Sequence, residues 1–234
     1  MSLIHDGRIF TREWILEKSK EHNFPNPRAV EMFLWDIEIS AQLQNVDDRL
    51  ILKGGAAAQL YLPVDKQRGS TDIDIKAAPS ITEQEISGIV GQVQETLPTL
   101  RFRSYTPIAP NPKLPLVTYY VDIKSALELT ERKSLPVKAD ILLEDPGLPT
   151  TLVKSRPTFA LNVIQMRIPT LGTCIGDKLL TLARGSVGMT KEEDYPKQMY
   201  DIDLLSEATS RCNRRREKAD TSGGVLPRSE NRGY

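Results

Sequence analysis

The chain has 234 residues, 39% of them hydrophobic and 26% charged, with Lys plus Arg equal to Asp plus Glu at 31 each. Those values exclude a disordered polyelectrolyte and describe a globular chain long enough to bury a real core, as one large domain or two small ones. Because the charge balances, global electrostatics identifies no partner, and any attraction for nucleic acid has to come from local patches.

The N-terminus around His5, Asp6 and Arg8 has no signal-peptide core, and no apolar run approaches the ~20 residues that span a bilayer. Cys174 and Cys212 lack metal-ligand spacing and build no disulfide framework. A cytoplasmic protein with no membrane partner is expected.

In chain order, the first expected helix covers 11–22, with Thr11 as cap and Trp14 and Ile15 apolar among charges. Phe24-Pro25-Asn26-Pro27 breaks it; Asn26 can cap the next helix and Pro27 can take its first position. That helix, about 28–44, spaces Val30, Phe33, Leu34, Ile37, Ala41 and Leu43 along one buried face.

An apolar strand, Leu50 to Leu52, then runs through Lys53 into Gly54-Gly55 and an alanine-rich helix start at Ala56. Glycines accept backbone angles and close approaches that a Cβ forbids, so the N–H groups there can face an anion, and a helix start adds its dipole. Lys53 reads equally as a phosphate contact or as a flank of the strand. A second strand carries Asp72 and Asp74. Alternation places both carboxylates on one face, with Cα atoms about 6.5–7 Å apart, and Ile73 and Ile75 on the other. Two such carboxylates can bind one hard cation or bridge two.

A helix follows at 82–97, with Thr82 and Glu85 at capping-box spacing. Strands are expected at 100–105 and 116–123, separated by a loop stiffened by Pro107, Pro110, Pro112 and Pro115. In the strand 137–143, Ile141 and Leu143 share one face, and Lys138, Asp140 and Leu142 the other. Asp140, mid-strand among apolar residues, needs a cation, a set of hydrogen bonds or solvent. One more strand covers 163–171. Helices at 173–184 and 192–209 then flank the turn Gly185–Gly188.

The fold class is therefore α+β: a mixed-sheet catalytic domain with N-terminal helices over 1–170, and a helical C-terminal region over 171–210 that completes the site. A disordered basic tail is expected over 211–234. Its run Arg211 to Lys218 is either solvated or adds electrostatic affinity for RNA.

Three carboxylates beside a Gly-Gly turn are what a two-metal nucleotidyl transfer needs, although Asp-x-Asp alone occurs on many solvated strands. Leu52-Lys53-Gly54-Gly55-Ala56-Ala57 followed by Arg68-Gly69-Ser70-Thr71-Asp72-Ile73-Asp74-Ile75 resembles the signature of the AbiEii-type nucleotidyltransferase toxins, in the DNA polymerase β-like superfamily. Asp177-Lys178-Leu179 with Arg184 resembles that family's lysine-bearing helix, and Lys197-Gln198-Met199-Tyr200-Asp201-Ile202 its Tyr-Asp helix.

The resemblance implies that Gly54 and Gly55 seat a triphosphate, with Lys53, Arg68 and Ser70 as further nucleotide contacts. Asp72, Asp74 and Asp140 would hold Mg²⁺, or Mn²⁺ in its place, and Asp140 would also serve as a base toward the attacking hydroxyl. Lys178 would contact the triphosphate or the transition-state charge, with Asp201, rather than the nearby Asp203, orienting it; an ordinary ion pair with Asp177 is the alternative for Lys178. Two departures matter: residue 55 is Gly where the superfamily usually has Ser, and Gln198 replaces an aspartate.

The family's implied substrate is an NTP, its implied acceptor an RNA 3′ end, tRNA above all, and its implied protein partner a cognate antitoxin. The alternatives are a small-molecule nucleotidyltransferase, as for antibiotics, and a catalytically silent NTP- or antitoxin-binding protein. His5 and His22 lie outside every motif.

Overall fold

The structure, a computed structural model, describes residues 3–106, 115–128, 134–143, 147, 149–183 and 195–222, with side chains described as far as Arg211 in the last segment. Among these residues no helix is long and apolar enough to cross a membrane. Pro107, Pro110, Pro112, Arg184, the turn Gly185–Gly188, the Cys212 side chain and the expected tail beyond Ser222 lie outside the described residues.

Helix α1 (Arg12–Glu21) starts at Thr11, whose side chain accepts from the Trp14 N–H, and α2 (Pro27–Val46) starts at Asn26, which accepts from Arg28 N–H, with Pro27 in its first turn. Strand β1 (Leu50–Leu52) leads into the short helix α3 (Gly54–Gln59), which begins at Gly54 rather than Ala56. Then come β2 (Ile73–Ala77), α4 (Glu83–Thr96), β3 (Arg101–Tyr105), β4 (Leu116–Lys124), β5 (Ser134–Leu142), β6 (Thr150–Pro157), β7 (Asn162–Pro169), α5 (Leu171–Thr181) and α6 (Tyr195–Ser222). The Thr82/Glu85 capping box opens α4 as its spacing predicts.

Five strands form one mixed sheet in the order β1-β2-β5-β4-β3. Among the described residues only β2 and β5 pair in parallel, in the register Ile73↔Ala139, Asp74↔Asp140 and Ile75↔Ile141. Period-two alternation sends Ile73, Ile75, Val137, Ala139, Ile141, Tyr119, Val121 and Ile123 into the core. The opposite face carries Asp74, Asp140, Lys138 and Thr118. Strands β6 and β7 form a separate antiparallel hairpin. The sequence-based elements contain no β6, because its side chains are largely exposed and carry no alternating apolar signal.

Helix α2 differs from the one-faced amphipath that its sequence predicts: every residue from Phe33 to Leu43 is buried. The sheet, α4 and the β7 hairpin pack around it, Phe159 stacks on Phe33 with centroids 4.8 Å apart, and Phe10 lies against Trp35 at 4.5 Å. Its polar residues must then find partners inside the protein. Glu31 accepts from Ser125 Oγ (2.7 Å) and Ala126 N–H (2.5 Å). Glu38 accepts from the Ile4 and His5 N–H groups, His5 Nδ1 (2.7 Å) and Gln42 Nε2 (2.7 Å). Burial alone would raise the Glu38 carboxyl; these donors outweigh it and hold the group below its ordinary range.

Strand β7 ends at Pro169 and α5 starts at Leu171. The expected tail does not start at 211. Instead α6 continues to Ser222, through residues rich in good helix formers and past an i,i+4 ion pair between Glu207 and Arg211 at 3.1 Å.

Glu38→Ala leaves several buried donors without an acceptor, and should destabilise the protein by roughly 1–3 kcal/mol. Urea unfolding measures it; a loss within error would mean that water or another group takes over the site.

Candidate functional site

The Gly-Gly turn sits directly on the second strand. Lys53 N–H donates to the Asp74 carbonyl at 2.8 Å, which fixes the end of β1 against β2. Gly54 then takes φ +66°, and a Cβ there would lie 2.0 Å from Asp74 Oδ2. A Cβ on Gly55 would come within 2.9 Å of Ser70 Oγ and 3.4 Å of Arg68 Nη2. The absence of both side chains thus lets backbone lie over a carboxylate, a hydroxyl and a guanidinium. Ser70 supplies a hydroxyl directly beside Gly55.

Asp72 is exposed, just before β2, and Asp74 is half-buried within it. Desolvation lifts the Asp74 carboxyl above its ordinary range; Asp140 and Asp72 push the same way, and Lys53 and Lys178 oppose them. Parallel register makes Asp140 the lateral neighbour of Asp74, one strand spacing of about 4.8 Å away. Of the three ways in which Asp140 could be satisfied, the structure uses two: Thr118 Oγ1 donates to Oδ1 at 2.6 Å, and Lys138 Nζ to Oδ2 at 2.5 Å.

The two later motifs fold back onto this region. Lys178 on α5 is buried and lies 2.7 Å from Asp201 Oδ2, and its Nζ also donates to Gln198 Oε1 at 2.7 Å. Asp201 on α6 is fully buried and takes Arg68 in a bidentate fork, Nε to Oδ1 at 2.9 Å and Nη2 to Oδ2 at 2.7 Å. Burial would raise Asp201, but Arg68 and Lys178 outweigh it and hold its carboxyl low. Desolvation lowers the Lys178 ammonium despite the pull of Asp201. The alternative partner for Lys178, Asp177, pairs instead with Lys76 at 3.3 Å, and Asp203 is exposed. Gln198, given no charged role by the sequence, fixes Lys178 through its amide oxygen.

Sequence reasoning missed Asp36. This α2 residue is wholly buried, and neither of its oxygens has a hydrogen-bond partner; Ser40 Oγ, one turn on, has none either. Desolvation raises the Asp36 carboxyl far above its ordinary range, with the charges of Asp74 and Asp72 adding to it, while the nearby Ser70 and Ser40 hydroxyls oppose the shift. The available signal was a carboxylate inside Phe33-Leu34-Trp35-Asp36-Ile37, with a serine four residues later.

The sequence model of the family described as "AbiEii: Nucleotidyl transferase AbiEii toxin, Type IV TA system" matches residues 39–221. No curated protein matches the chain. Among solved structures, the crystal structure of the Megavirus polyadenylate synthase is similar with 10% identity and a TM-score of 0.45, over 81% of this chain and 35% of that one. The Cid1 poly (U) polymerase with MgGTP bound is similar with 10% identity and a TM-score of 0.28, over 56% and 38%. The chain thus spans little more than a third of the length of either structure.

Two substitutions test this geometry. Gly54→Ala forces a Cβ into Asp74 at a left-handed backbone angle and should cost about 1–3 kcal/mol. Gly88→Ala, on α4 with nothing within 4 Å, should be neutral or stabilising. Equal unfolding midpoints for the two would refute the close approach.

Asp36→Asn probes the buried acid. A carboxyl raised in the folded chain binds its proton more tightly there, so stability is lost as pH climbs from the unfolded value near 3.8 toward the higher folded one. In EDTA, the Asp36→Asn variant should therefore gain over the parent at pH 8, by about 1.4 kcal/mol for each unit of displacement, and the gain should shrink toward pH 4. A pH-independent difference would contradict it.

Proposed function

Because this chain belongs to the AbiEii nucleotidyltransferase toxin family, we propose that it transfers an NMP unit from an NTP to an RNA 3′ end, tRNA above all, in a Mg²⁺-dependent reaction, with Mn²⁺ as a substitute metal. The observation that carries this reading is the lateral pairing of Asp74 with Asp140 beneath the Gly54–Gly55 backbone. A cognate antitoxin is the protein partner that a toxin of this kind implies.

Asp72, Asp74 and Asp140 offer only carboxylate oxygen, the donor type of hard divalent cations, and a cation would offset the desolvation, and with it the neighbouring negative charge, that lifts Asp74. Among the described residues no three such groups are drawn into a closed metal cluster, and Asp140 must share the donors Thr118 and Lys138 to join one. Bound there, the metal would neutralise charge on the attacking and leaving oxygens.

The protein's own groups divide the remaining work. Gly54 and Gly55 bring backbone to the triphosphate. Ser70, whose hydroxyl makes a long 3.4 Å bond to the Asp72 carbonyl and lies near Asp36, is able to turn toward a phosphate. Lys178 supplies positive charge at the phosphates, and Asp201 fixes its ammonium. Arg68 serves first as the second partner of Asp201, with Nη2 still beside Gly55, and Lys53 adds positive field at Asp74. At the α-phosphorus, a bond forms to the acceptor hydroxyl oxygen while the bond to pyrophosphate breaks, and the hydroxyl proton passes to Asp140. Residues 1–170 thus form a catalytic domain, and 171–210 complete it by contributing Lys178, Gln198 and Asp201.

Incubation with Mg²⁺, each labelled NTP in turn, and total tRNA together with a metabolite mixture should label RNA, and Asp72→Ala/Asp74→Ala should lower that signal by about 100-fold or more, on the order of losing the metal's charge stabilisation. Equal labelling by both proteins would refute the assignment of the two aspartates. Label appearing on small metabolites in place of RNA would move the acceptor to the small-molecule class.

A further inference from the structure

The register of the sheet sets four side chains in one row: Asp74 faces Asp140, Asp140 faces Thr118, and Thr118 faces Tyr105. The neighbouring row on the same face runs Lys138, Tyr120, Arg103. In-line transfer places the attacking and leaving oxygens on opposite sides of the phosphorus. With the triphosphate on the Gly54–Gly55–Ser70 side of Asp74, the acceptor arrives from the Asp140 side, over β4 and β3. Resting on the nucleotidyl-transfer reading, we infer that Tyr105, Tyr120 and Arg103 form a stacking platform for the unpaired 3′-terminal bases of a polyribonucleotide acceptor.

An exposed tyrosine on an edge strand needs no ligand to account for it. What distinguishes Tyr105 is its alignment with the carboxylates and the construction around it. Its side chain is 45% exposed, and its ring meets that of Tyr120 edge-on, with centroids 5.5 Å apart and an interplanar angle of 82°. Arg103 lies 6.0 Å from the Tyr120 centroid and is held by a bidentate fork to Asp122 at 2.6 and 2.8 Å. Ring and guanidinium are therefore ordered before anything binds, at low entropic cost. A fixed aromatic face beside a planar cation is what unstacked bases recognise, largely without regard to sequence.

Two strand spacings separate Tyr105 from Asp140, about 10 Å. That reach lets a 3′ hydroxyl sit at Asp140 while a base of the same strand lies on Tyr105. A compact small-molecule acceptor would end short of it.

The test uses the full chain with Mg²⁺ and short fluorescent oligoribonucleotides with free 3′ hydroxyls, one homopolymer for each base, read by anisotropy. The parent should bind at least one of them. Tyr105→Ala should weaken that binding roughly 5- to 100-fold, the loss of one base stack, and Tyr105→Phe, which keeps the ring, should restore it. Binding of a fluorescent NTP should be the same in all three. A 3′-terminal 5-iodouridine should crosslink to the peptide containing Tyr105 or Tyr120. Undiminished binding by Tyr105→Ala, or no binding by the parent, would overturn the platform. The transfer reading fails separately: oligonucleotide held on Tyr105 by a protein that labels no acceptor supports the platform and refutes the chemistry.

Discussion

One buried carboxylate joins the two parts of the protein. Asp201 takes Arg68 on both its oxygens and Lys178 on one, and so ties α6 to α5 and to the loop that precedes β2. Burying Asp201 and Lys178 costs several kcal/mol per ion in desolvation, and close geometry returns this only if every partner, the half-buried Arg68 included, is present. The apolar contact at this junction is small by comparison: Ala58, Leu62, Cys174, Leu204 and Leu205 form a cluster apart from the main core. The helical region is therefore held in register by a polar network more than by area, and the same network sets the position of the lysine ammonium.

The main core answers to a different constraint. Helix α2 is enclosed on all sides, so each of its polar side chains is either satisfied or strained. Glu31 and Glu38 are met by several close donors, whereas Asp36 has only the nearby Ser70 and Ser40 hydroxyls, neither in good hydrogen-bond geometry. An apolar residue of similar size would pack there at lower cost. Stability is given up where the helix feels the charges of Asp74 and Asp72, the usual location of such compromises.

Much of this was legible in the residues. Local chemistry announced Thr11, Asn26 and Thr82 as caps and the glycine turn after β1, whereas Asp72, expected on the strand with Asp74, lies just before it because β2 starts only at Ile73. Asp140 was recognisable because a carboxylate in an apolar strand demands a partner, and Lys138 was already on its face two residues away, but Thr118 was not legible: it lies on another strand, and nothing local aligns it with Asp140. Arg68 and Asp201 are separated by 133 positions, and only resemblance to a family suggested that α6 returns to the site. Asp36 escaped because helical periodicity was read as one buried face, whereas enclosure on all sides makes every position of the helix informative. Strand β6 escaped because it is an exposed ribbon whose residues do not alternate.

The lone parallel pairing in the sheet governs when the site can exist. Antiparallel neighbours such as β3 and β4 come together by closing a modest loop, but β2 and β5 meet only after the chain has passed through α4, β3 and β4. Closing so long a loop costs entropy before any contact rewards it, which makes such pairings late and slow events in folding. Until β5 docks, the chain carries Asp72 and Asp74 without Asp140 beside them. Under the proposed chemistry, a partly folded molecule lacks its third carboxylate however native its first strands, so that the fold and the site are completed together.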